Sequence, residues 1–122
     1  GCSLIVCPLS VINSWMNEFA KWWPSSKVVR FHANESERKE KMQEISSGFL
    51  GLNAVVTTYD MLKAQGVGHF FSRHHFRYSV LDEGHVIKNV EAQVSQAARR
   101  IHSESRLILT GTPTQNNLTE LR

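Results

Sequence analysis

No apolar run among the 122 residues is long enough to cross a bilayer as a helix, and none has the layout of a signal peptide. A membrane partner is therefore not expected. Cysteine is scarce too, with only Cys2 and Cys7. Five residues apart on one extended segment, the two would point to opposite faces, roughly 16 Å from each other. That is outside disulfide reach. Both are read as free thiols of a reducing compartment, Cys7 as a small core residue, and a metal site built on them is disfavoured. There is little excess of either charge: 14 Lys plus Arg against 11 Asp plus Glu, with a pI near 9.1. Such a balance permits a nucleic-acid partner without requiring one. Repeats, low-complexity tracts and internal linkers are missing, and the length suits one domain. The chain opens on "GCSLIVCP", a buried strand from the start, and stops in "LTELR", within helical pattern. It is expected to be a piece of something larger.

What is present alternates between two periods. "LIVC" (Leu4 to Cys7) is a short apolar run of the kind covered on both faces, ended by Pro8. Ser10 is placed to cap a helix in which Val11, Trp15, Phe19 and Trp22 form a stripe. "KVVRF" (Lys27 to Phe31) predicts a second strand. "NESERKEKMQEISSG" predicts a charged helix capped by Asn34, with Glu35–Lys39 and Glu37–Lys41 pairs and a seam of Met42, Ile45 and Phe49. "NAVVTTY" reads as a third strand, "DMLKAQ" as a short helix, and "GVGHFFSRHHF" as a connector with aromatic anchors. "RYSVLDE" is the fourth strand. Asn89 then caps "VEAQVSQAARRI", and "RLILTGTP" is the fifth strand with its exit. This alternation predicts α/β: a parallel sheet with helices on both faces.

In such sheets ligands bind beyond the carboxyl ends of the strands. The polar clusters "PLS", "TTYD", "DEGH" and "TGTPTQN" all fall there. Asp82 and Glu83 suit two roles: Asp82 can hold a hard cation such as Mg²⁺ through water, and Glu83 can orient and deprotonate an attacking water. An ordinary acid pair on a surface loop would look the same when taken alone. Gly84 and His85 add weight, since glycine lets the backbone turn tightly after the strand.

Taken in order, "LDEGHVIKN" and "LILTGTPTQNNLTEL", preceded by "LIVCPLSVINSWMNEFAKW" and "AVVTTYDML", resemble motifs II, III, Ia and Ib of the SWI/SNF-type ATPases, the chromatin-remodelling branch of superfamily-two helicases. The resemblance covers nearly the whole chain. It implies that residues 1–122 are a partial RecA-like helicase ATP-binding lobe that uses ATP and Mg²⁺. It also implies a DNA-dependent ATPase that translocates on double-stranded DNA and remodels nucleosomes or other DNA-bound proteins in the nucleus, working with a second RecA-like lobe of the same protein. Carried over by residue, Asp82 is the Mg²⁺ residue and Glu83 the general base. His85 couples nucleotide to motif III, with Gln115 beside it near the nucleotide. Thr110, Gly111 and Thr112 relay nucleotide state. Pro8, Leu9 and Ser10, with Thr57, Thr58 and Tyr59, follow the DNA backbone.

The Gly-rich loop ending in Gly-Lys-Ser/Thr is absent from the sequence. The family carries it, with its strand, upstream of "LIVCP", and carries the transition-state arginine in the second lobe. The fold is thus expected to be incomplete, and this chain alone is expected not to turn over ATP. Two rival classes remain: a non-catalytic helicase-like module that binds DNA or protein, and a restriction-type or RNA-unwinding enzyme, against which "TGTPTQNN" argues. Trp15, Trp22 and Trp23 could be a base-stacking platform, but Trp15 and Trp22 at helical spacing read as core and Trp23 as partly exposed. "SRHHFR" (Ser72 to Arg77) reads as a basic patch touching DNA or a partner, not as a zinc site.

Overall fold

A computed structural model describes residues 1–82 and 99–109. Five strands form one all-parallel sheet: β1 (Ser3–Cys7), β2 (Val28–Phe31), β3 (Ala54–Thr58), β4 (His75–Asp82) and β5 (His102–Leu109), in the order β2-β3-β1-β4-β5. The helices α1 (Ile12–Trp22), α2 (Glu35–Ser47), α3 (Tyr59–Lys63) and α4 (Val67–Ser72) lie between them in the chain. The expected α/β class with parallel pairing is therefore observed.

Strand alternation splits the core in two. Leu4 and Val6 face a larger cluster with Phe31, Val55, Phe76 and Leu81, covered by Ile45 of α2, Met61 and Leu62 of α3 and Phe70 and Phe71 of α4. Ile5 and Cys7 face a smaller cluster with Ala54 and Val56, covered by Ile12, Trp15, Met16 and Phe19 of α1. Helices thus cover both faces, as a parallel sheet requires. Cys2 lies in the first cluster and Cys7 in the second, and both are free and buried. The larger cluster is aromatic. Phe71 meets Phe31 edge-on at 5.7 Å and lies 6.2 Å from Phe76. Phe71→Ala is expected to lower unfolding free energy by about 3–5 kcal/mol, through lost transfer and a residual cavity. Urea denaturation followed by circular dichroism checks this.

Local signals explain most elements. Asn34 caps α2 by accepting from the backbone N–H of Glu37 at 3.1 Å, and Met42, Ile45 and Phe49 form its seam. The Glu–Lys pairs expected along α2 do not close. Among the described residues the ion pair found is Lys63–Asp60 at 3.5 Å. Four other expectations need correction. Ser10 does not cap α1: it sits inside a 3-10 turn, Leu9–Val11, closed by the Val11 N–H on the Pro8 carbonyl at 3.1 Å. Trp22 is not core, being 73 % exposed. The "GVGHFFSRHHF" connector contains α4, which starts after Gly66 at φ +83°, where a side chain would be strained. Finally, β5 begins at His102, earlier than expected. It lies at the sheet edge among the described strands, with Leu107 and Ile108 exposed. The helix expected from Asn89 lies almost wholly outside the described residues.

Candidate functional site at the carboxyl edge of the sheet

The strand register decides which residues meet. Cys7 is level with Thr58, Phe31 with Thr57, Val6 with Leu81, and Asp82 with Leu109. The "PLS", "TTYD" and "D" segments therefore emerge along one edge, as expected for a ligand site in an open parallel sheet.

Asp82 is the last residue of β4 and is half-buried. Its side chain follows the parity of Val80 and so points to the face covered by α1. There Trp15 donates its indole Nε1–H to Asp82 Oδ2 at 2.8 Å. From the opposite face, the buried Tyr59 donates its hydroxyl to the Asp82 carbonyl at 2.6 Å. One tie fixes the carboxylate and the other fixes the backbone that carries it. A hydrogen bond to a charged acceptor contributes about 1.5–3 kcal/mol. Sequence alone reads Trp15 as core in preference to a stacking platform, with no partner for its indole N–H. The signal that finds its second role is chemical: an indole N–H taken out of water needs an acceptor, and Asp82 is the acid whose strand parity aims it at α1.

The threonines are placed at this edge but turned inward. Thr57 is buried and donates its hydroxyl to the Phe31 carbonyl at 2.9 Å, tying β3 to β2. Thr58 is buried and caps α3, accepting from the Met61 N–H at 3.2 Å. Pro8 is half-buried, whereas Leu9 and Ser10 are exposed. The first turn of α1 has no acidic residue and no side-chain cap. The Val11 and Ile12 amides already bond the Pro8 and Leu9 carbonyls, and the hydroxyl of the exposed Ser10 is of the type that takes a phosphate oxygen. Glu83, His85, Thr110, Gly111, Thr112 and Gln115 lie outside the described residues.

Asp82 fits a Mg²⁺ ion of the kind that keeps water and ligand phosphates in most of its positions. It offers a hard oxygen donor at the mouth of the sheet. Beneath it, Cys7 donates its thiol to the Thr57 carbonyl at 3.5 Å. Burial first, and the nearby Asp82 charge second, push the Cys7 thiol up to about 12. Burial pushes Cys2 up to about 11. Each thiol thus keeps its proton to higher pH folded than unfolded. Its contribution to stability is whole below the ordinary thiol range of about 8.5 and is lost as pH rises through the folded values. The urea midpoint is expected to fall as pH rises from about 8.5 towards the folded values of about 11 and 12. In Cys7→Ala the fall should be shallower, which paired titrations of the two proteins test.

Three kinds of comparison bear on this edge. The SNF2-related domain family matches residues 2–122. Helicase swr-1 of Neurospora crassa is 42% identical over 99% of this chain and 6% of its own length. The human SWI/SNF-related matrix-associated actin-dependent regulator of chromatin, subfamily A containing DEAD/H box 1, is 38% identical over 99% of this chain and 12% of its own. The chain thus spans a small fraction of these relatives. Among solved structures, the Sulfolobus solfataricus SWI2/SNF2 ATPase core in complex with double-stranded DNA superposes with a TM-score of 0.70 at 31% identity, over 98% of this chain and 23% of that one. Its fold is RecA-like. A parallel sheet ending in a braced aspartate, a family match over almost every residue and this structural neighbour converge on one statement: the chain belongs to the SNF2-related family, that of the SWI/SNF-type chromatin-remodelling ATPases.

Proposed function

We propose that residues 1–122 form part of the first motor lobe of an ATP-dependent double-stranded DNA translocase, one that remodels nucleosomes or other DNA-bound proteins in the nucleus. The observation that carries this reading is Asp82, held at the carboxyl edge by Trp15 from one face and Tyr59 from the other. Asp82 would hold Mg²⁺ with ATP, and the ion, when bound, supplies neutralising charge to the phosphates. Glu83 receives the proton of the attacking water. His85 and Gln115, with Thr110, Gly111 and Thr112, link that event to the grip on DNA. The relatives' greater length supports the remaining apparatus, a phosphate-binding loop and a second lobe, lying elsewhere in the same protein.

For DNA, the geometry favours the Pro8–Ser10 turn over the threonine hydroxyls. Leu9 and Ser10 are exposed and lead into an uncapped helix start, whereas both threonine hydroxyls already serve internal partners. Thr57, Thr58 and Tyr59 would then support the DNA-following segment from beneath, and contact with phosphates would carry no base preference. The test is ATP turnover of the intact protein with duplex DNA, with RNA and with neither. Stimulation by duplex DNA of unrelated sequences supports the reading. Stimulation by RNA alone, or by no nucleic acid, overturns it.

A further inference from the structure

On the face of the sheet opposite α1, helices α2 and α4 leave a groove of about 320 Å³ between them. Lys39, Gln43 and Ser46 form one wall and Gly66, Phe70 and Arg73 the other, with Met42 in the floor. Each wall has the spacing i, i+4, i+7, so each helix presents a single ridge. The floor is apolar because it is formed by the half-buried Met42, and Phe70, buried with its ring against Phe71 and His74, backs the wall beside it. The walls are cationic. Lys39 and Arg73 are both exposed, and among the described residues no acid lines the groove and neither cation is in an ion pair.

We propose that this groove docks an acidic segment of a partner protein, which seats one apolar side chain on Met42 and Phe70 and sets carboxylates against Lys39 and Arg73. Charge complementarity and the apolar floor select such a peptide. A duplex is a poor occupant for two reasons. Its phosphates gain nothing from an apolar floor. The groove also runs the wrong way: α2 leaves the carboxyl edge at Glu35, whereas Arg73 lies two residues before β4 begins, at the amino edge. A stiff duplex lying along the carboxyl edge does not reach there. The basic patch read from "SRHHFR" thus divides: Arg73 faces the groove, while His74 turns inward, its Nδ1 at 2.9 Å from the Phe70 carbonyl.

The test is fluorescence polarisation of the chain with a labelled Asp/Glu-rich peptide bearing one central leucine. Saturable binding is expected, weaker by about tenfold or more in the double variant Lys39→Glu, Arg73→Glu, since 1.4 kcal/mol is one decade. A similar loss is expected in Ser46→Trp, which keeps every charge but fills the groove, and when the peptide leucine becomes alanine. Lys27→Glu, an exposed lysine away from the groove, should bind as the parent does, and circular dichroism verifies that each variant is folded. Equal binding by all variants overturns the proposal. So does equal competition by inorganic phosphate, which marks a plain anion site. Duplex DNA that displaces the peptide and itself loses affinity in Ser46→Trp assigns the groove to nucleic acid and also overturns it.

Discussion

Glu83→Gln in the intact protein is expected to reduce DNA-stimulated ATP hydrolysis by about 10²–10⁴, the contribution of a positioned general base. The substitution keeps shape and hydrogen-bonding reach but removes the carboxylate that receives the proton in the proposed function. Nucleotide affinity should hold, because phosphate binding rests on the cation and on groups that the new amide would not disturb. Turnover is read by phosphate release, and affinity by displacement of a fluorescent nucleotide analogue. Near-normal turnover would remove Glu83 from the chemistry. A parallel loss of nucleotide affinity would make it a binding residue instead.

Trp15→Phe is the second large effect. Phenylalanine retains an aromatic ring in the α1 face but deletes the N–H that reaches Asp82 Oδ2 at 2.8 Å. The carboxylate then loses the group that fixes its rotamer, and removing such a supporting partner typically costs about 10–100-fold in metal affinity or activity. The expected signature is specific. The Mg²⁺ concentration for half-maximal ATPase should rise, while thermal stability should fall by no more than the loss of that one hydrogen bond accounts for, because most of the packed ring survives. If Mg²⁺ dependence and turnover both stay at parental levels, the indole is merely packing. Tyr59→Phe is the useful comparison, since it removes the tie to the Asp82 carbonyl and leaves the carboxylate itself untouched.

The strands and α2 could be read from the chain because local signals and tertiary packing agree there. "LIVC" and "AVV" are continuous apolar runs in central strands, and Asn34 has a free N–H within reach in both the isolated segment and the fold. The misses occur where two local answers compete. Ser10 had the chemistry of a cap, but a 3-10 turn took up the chain first, and α1 starts two residues later. That turn brings Ile12 and Met16 into the packed stripe and leaves Trp22 outside. The α4 segment, six residues with two glycines and three aromatics nearby, is too short for a helical period to declare itself and owes its form to packing. At the site, strand ends alone placed Asp82 and the threonines at the right edge. They could not say whether a threonine hydroxyl faces a carbonyl within the fold or a phosphate outside it, because the hydroxyl suits both. The Trp15–Asp82 tie spans 67 residues of chain and rests on the pairing of β1 with β4, which no local pattern states.

The outer flank of β5 has a practical corollary for anyone handling these residues alone. Among the described strands β4 is its only neighbour, so a ladder of backbone donors and acceptors faces outward beside Leu107 and Ile108, 39% and 58% exposed. Such a border is a template for another copy. Preparations are expected to associate as they are concentrated, and Ile108→Lys, the guard that natural sheets post at their margins, should keep them dispersed, as light scattering would read.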